Sequence, residues 1–131
     1  MRNVASTIYL LTSAAIALGA FGHDSNAAKL AAEFAKAPAL DPDVVRVTML
    51  VWHFCSGCML VFGAICVLSW WRLRTGARDA LPVPLAIGAF YIVTGIASVA
   101  YSAKPFFWLF TVLGSLLVAS ACVLRAVASR P

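Results

Sequence analysis

Val47–Trp71 reads VTMLVWHFCSGCMLVFGAICVLSWW, without a single Asp, Glu, Lys or Arg. As a helix rising about 1.5 Å per residue, the stretch is about 37 Å long, against roughly 30 Å for the hydrocarbon core of a bilayer. No water is present at that depth to satisfy backbone N–H and C=O groups, so a chain crossing lipid must pair them within its own segment. The stretch is therefore expected to be a transmembrane helix. Three other stretches share its character, namely Val4–Gly22, Leu81–Ala103 and Pro105–Leu124.

The predicted fold is all-α, an integral membrane four-helix bundle forming a single domain over residues 1–131. Its helices are expected at about 4–22, 42–73, 82–102 and 105–126, with an outer connection at 23–41. Composition agrees. The hydrophobic fraction is 63% and the charged fraction 11%, whereas soluble domains carry about 25% charged residues. A formal net charge of +5 does not mark a nucleic-acid surface, because the basic residues sit at the ends of apolar runs rather than in one patch.

Those basic residues give an orientation. Arg72, Arg74 and Arg78 fill the short second connection, Arg2 precedes the first helix, and Arg125 and Arg130 follow the fourth. Lys29, Lys36, Arg46 and Lys104 on the other side are mixed with Asp24, Glu33, Asp41 and Asp43. The excess of Lys and Arg on cytoplasmic loops places both termini in the cytoplasm, as in a bacterial inner membrane protein. Trp70 and Trp71 are expected at the inner boundary, and Tyr101 and Trp108 near the outer one. Arg2, the first apolar run and Asn26-Ala27-Ala28 also share features of a secretory signal, but the run reaches Phe21, beyond a usual signal core. It is read as a retained helix.

Within the outer connection, Asp24, Ser25 and Asn26 suit a helix N-cap. Leu30, Phe34 and Ala37 then recur at helical spacing, with Lys29 and Glu33 as an i,i+4 pair, until Pro38 interrupts. A short amphipathic helix on the outer membrane surface is expected. Asp41-Pro42 supplies a cap and a first-turn proline for the next helix.

Small residues allow membrane helices to approach closely. Gly57 and Gly63 on the second helix, Gly95 and Ser98 on the third, and Gly114 and Ser115 on the fourth are the candidate packing positions. The third helix also carries a polar stripe from Tyr91 through Thr94 and Ser98 to Tyr101, the basis for a small-solute or ion pathway.

His53 is the most informative single residue, since an ionisable group inside an apolar run is a functional candidate by default. It lies about 9 Å inside the outer boundary. His23 ends the first helix near the same depth, so the two form a candidate haem or metal pair. The bland alternative is a neutral His53 hydrogen-bonded to Ser98 or Tyr101, with no carboxylate at its depth. Cys55-Ser56-Gly57-Cys58 has CxxC spacing, but it sits inside a helix, without the N-terminal position that activates redox thiols. No nucleophile–base pair, paired carboxylates or glycine-rich phosphate loop is present.

Ala17-Leu18-Gly19-Ala20-Phe21-Gly22-His23 is similar to the GAFGAH signature of the YgdD-like family of small four-helix membrane proteins. Trp52-His53 early in the second helix, and the tight turn before the fourth, also resemble that family. This chain has one residue fewer between phenylalanine and histidine, and a different Phe54-Cys55-Ser56-Gly57. The resemblance implies the fold, and little about chemistry. The leading expectation is a small non-enzymatic membrane protein acting through helix contacts, as an accessory subunit of a larger complex or a homo-oligomer. The alternatives are a haem or metal redox protein using His53 and His23, and the solute pathway.

Overall fold

A computed structural model describes residues 2–37 and 39–128; Pro38 and Arg130 lie outside them. Over the described residues the chain is all-α, with four helices long and apolar enough to cross a membrane. In order the helices are α1 (Arg2–Asp24), the nine-residue α2 (Ala27–Ala35), α3 (Pro42–Arg74), α4 (Pro82–Ser102) and α5 (Trp108–Ala128). Single 3₁₀ turns, Arg78–Ala80 and Pro105–Phe107, lead into α4 and α5.

The helix ends have local causes. Asp41 caps α3, its carboxylate accepting from the Asp43 N–H at 2.8 Å, with Pro42 in the first turn. Gly76 (φ 87°) and Ala103 (φ 56°) turn the chain after α3 and α4 in the left-handed region. Ala103 N–H closes the end of α4 by donating to Val99 O at 2.8 Å. Two expectations for the first connection are corrected. The Ser25 hydroxyl and Asn26 amide both donate to Gly22 O, at 2.9 and 2.8 Å, so they close the end of α1 and make no side-chain cap on α2. Glu33 pairs with Lys36 at 2.7 Å rather than with Lys29.

Helix α1 lies between α3 and α5, and α4 packs along α5, while α3 and α4 meet sparsely. Residue size explains the difference. A Cβ at Gly63 would come within 2.6 Å of Ala17 N and 2.7 Å of Ser13 O, so α1 and α3 approach at backbone distance. Gly88, Gly95 and Gly114 do the same between α4 and α5, where a Cβ at Gly95 would meet Thr111 N at 2.6 Å. Between α3 and α4 stand Phe62 and Phe90 instead, edge to face with centroids 5.8 Å apart. Small residues close two interfaces and aromatic rings hold the third open.

Several hydroxyls bond back along their own helix rather than across to another. Ser13 donates to Tyr9 O, Ser102 to Ser98 O and Ser120 to Leu116 O, at 2.8, 2.7 and 2.6 Å. Trp70 is an exception. Its indole N–H donates to Ser6 Oγ of α1 at 2.8 Å, with Arg74 over its ring at 4.8 Å. Trp71, Tyr101 and Trp108 are exposed.

Candidate functional site

At the end of the bundle carrying the α1–α3 connection, the last turn of α1 faces the first buried turns of α3. Helix α1 continues through His23 and Asp24, so both side chains have fixed positions instead of belonging to a loop. The His23 ring stacks on Trp52, with centroids 4.0 Å apart and planes inclined by 18°. The Trp52 indole N–H donates to His23 O at 3.0 Å, supplying one of the carbonyls that a helix end leaves without an intrahelical partner. His23 Nδ1 is hydrogen-bonded to Ser56 Oγ at 2.9 Å. Trp52 and Ser56 are four residues apart and therefore share the face of α3 turned toward α1.

His53 pairs with Asp24, at 2.6 Å between Nδ1 and Oδ1. This corrects the expectation of a Ser98 or Tyr101 partner, and that of no carboxylate within reach. Asp24 is 29 residues from His53 in sequence and falls just beyond the apolar run, so hydropathy assigns it to the loop. The available signal was its adjacency to His23. Both groups are about half exposed, with side-chain exposures of 53% and 49%, so solvent screens the pair and it adds little to stability.

Both histidines thus come to one end of the bundle, on neighbouring helices. Each ring is held through Nδ1, so Nε2 is the atom with which either would meet a metal or haem iron. Among the described residues, no group of three or more His, Cys, Asp or Glu is arranged to hold a metal ion. All four cysteines are free thiols.

Below the cluster, the open α3–α4 interface encloses a cavity of about 470 Å³. His23 lines one part of it, and Cys55, Cys58 and Met59 of α3 face Tyr91, Thr94 and Ser98 of α4. Phe54, Phe62, Phe90, Phe107 and Phe110 supply the aromatic wall. The Tyr91 side chain is 2% exposed, and its hydroxyl has no hydrogen-bond partner.

The candidate packing residues divide into two groups. Gly63, Gly95 and Gly114 lie at tight helix contacts, as does Gly88, which sequence reasoning missed. Ser98 lines the cavity. Gly57 and Ser115 lie outside the contacts within the bundle: both are exposed, and a Cβ at Gly57 would have nothing within 4 Å. No protein-family model, curated protein or solved structure matches the chain.

Proposed function

We propose that this chain is a small non-enzymatic protein of the bacterial inner membrane that works by seating a helix of another membrane protein, a larger partner or a second copy, against α3. The observation that carries this reading is Gly57. Helix α3 buries one stripe, Ser56, Gly63, Cys66, Ser69 and Leu73, and leaves Gly57 outside with open space where a Cβ would stand. Gly63, Gly88, Gly95 and Gly114 each admit a neighbouring helix, whereas Gly57, in mid-helix, and Gly22, near the end of α1, have nothing within 4 Å of a Cβ. A glycine in a helix interior costs up to about 1 kcal/mol relative to alanine, and close approach by a further helix offsets that cost. The carboxylates Asp24, Glu33, Asp41, Asp43 and Asp79 are all exposed, which suits attachment better than buried acid–base chemistry. The arginines of the second connection support cytoplasmic termini, and the YgdD-like motif at the end of α1 belongs to the same reading.

The test is affinity purification from native membranes with Gly57→Leu beside Gly63→Leu. Gly57→Leu is expected to abolish co-purification, or self-association, while the monomer folds normally; Gly63→Leu is expected to disrupt the fold itself. Unchanged association in a folded Gly57→Leu protein would refute the proposal.

A second reading is carried by the meeting of His23 and His53 at one end. It predicts haem or a metal ligated through Nε2, and an oxidised-minus-reduced absorption spectrum with metal analysis tests it. A Soret band lost in His53→Ala would favour it, and a colourless, metal-free preparation would refute it.

A further inference from the structure

We propose that the cavity between α3 and α4 holds one acyl chain of a membrane phospholipid, whose phosphate lies at the Lys104 turn. Three observations point to this occupant. First, the cavity has the depth of one leaflet. Helix α1 leaves its apolar run at His23 and Asp24, and His53 pairs with Asp24 there, so this end of the bundle marks one membrane surface. From His53 to Arg74 the axis of α3 rises about 31 Å, against roughly 30 Å for the hydrocarbon core. The cavity is lined by α3 from Phe54 to Phe62 and by α4 from Phe90 to Ser98, about 12 Å along either helix. It therefore starts just below that surface and closes near the bilayer middle, within the roughly 15 Å that one leaflet's chains occupy.

Second, the cavity is built into the packing and opens to lipid. Phe62 and Phe90 hold α3 from α4, while glycines draw α4 onto α5. Phe54 and Phe90, which line it, are 68% and 55% exposed. Left empty, about 470 Å³ would cost the surrounding rings their dispersion contacts. A flexible hydrocarbon chain from the adjoining bilayer restores those contacts and asks for no polar partner within the cavity. Gly57 is not among the lining residues, so this site is separate from the face offered to a partner helix.

Third, the polar groups gather at the surface end. Ser98 and His23 line that end, and Phe62 and Phe90 the deep end. Lys104 stands on the α4–α5 turn, three residues before Phe107 of the cavity wall. It is exposed and takes part in none of the ion pairs among the described residues. A phosphate is the anion that a phospholipid brings to this level while its chain descends.

The experiment reconstitutes the full chain in vesicles of phosphatidylethanolamine and phosphatidylglycerol. These carry a trace of phosphatidylglycerol with a photoreactive diazirine near its chain end, or the diacylglycerol with the same chains as the phosphate-free comparison. Adducts are mapped by peptide mass spectrometry. Cys58 and Phe62 of the cavity are partly buried, whereas Val112 of α5 is exposed, so ordinary bilayer contact would favour Val112. The phospholipid is instead expected to label Cys58 and Phe62 above Val112. It should do so about fivefold more than the diacylglycerol, the worth of one lysine near a membrane surface, and Lys104→Gln should remove that difference. Thr94→Phe, which fills the cavity, should lose the Cys58 and Phe62 adducts and keep those at Val112. If that variant does not fold, the ratio of Phe62 to Val112 adducts in the unaltered chain decides. Labelling of Val112 equal to or above that of Phe62, equal cavity labelling by the two lipids, or cavity adducts that survive Thr94→Phe would each overturn the proposal.

Discussion

Gly63→Ala and Gly57→Ala add the same methyl group to the same helix, and the structure predicts opposite consequences. At position 63 the new Cβ would sit 2.6 Å from Ala17 N and 2.7 Å from Ser13 O. These are backbone atoms of α1 and cannot turn aside like a side-chain tip. The helices must separate, with loss of contacts along the interface. Overpacking of this kind costs about 1–3 kcal/mol. At position 57 nothing lies within 4 Å, and only the helix-propensity gain remains, up to about 1 kcal/mol. In a bilayer that gain shrinks, because the unfolded reference state keeps its helices. The two variants should therefore differ by about 1–4 kcal/mol in stability, with Gly63→Ala the less stable. Reversible unfolding in mixed micelles, followed by the fluorescence of the tryptophans, measures the difference. Equal stabilities, or a less stable Gly57→Ala monomer, would refute the packing account of α1 and α3.

Other perturbations follow from single contacts. Trp70→Phe removes the indole donor to Ser6 Oγ; a double-mutant cycle with Ser6→Ala is expected to show a coupling of about 1 kcal/mol, and zero coupling would contradict the bond. Asp24→Asn leaves His53 without its carboxylate, but with both groups half exposed the unfolding temperature should hardly change; a marked fall in thermal unfolding would show the pair to be buried. Ala103→Gly should stabilise the α4–α5 turn by up to about 1 kcal/mol, because φ 56° suits glycine. Ala103→Val should destabilise it, and the reverse order in either assay would exclude the left-handed turn.

The spans were legible because a lipid-crossing helix announces itself by uninterrupted apolar length, and the start of α3 because Asp41-Pro42 combines a cap with a first-turn proline. Gly63, Gly95 and Gly114 were legible as small residues, but their directions were less so. Gly57 and Gly63 are about 240° apart around a helix turning 100° per residue, so one stripe cannot hold both. Ser56 and Gly63, separated by about 340°, do share the buried face. Gly88 stands seven residues before Gly95, which was a usable signal for the α5 contact. Asp24 was missed for a different reason. Its role depends on α1 running one turn beyond its apolar residues, and on α3 bringing His53 back beside it. The cavity was also hidden, since it reflects which aromatic rings face each other across two helices rather than any local pattern.

The central claim is that α3 offers its Gly57 face to a further helix. A benzophenone amino acid in place of Gly57, irradiated in native membranes, tests it most directly, with the same probe at exposed Val112 of α5 as the comparison. The account predicts one discrete protein adduct from position 57, a larger partner or a second copy of this chain, and none from position 112. No protein adduct from position 57, or the same adducts from both positions, would contradict it.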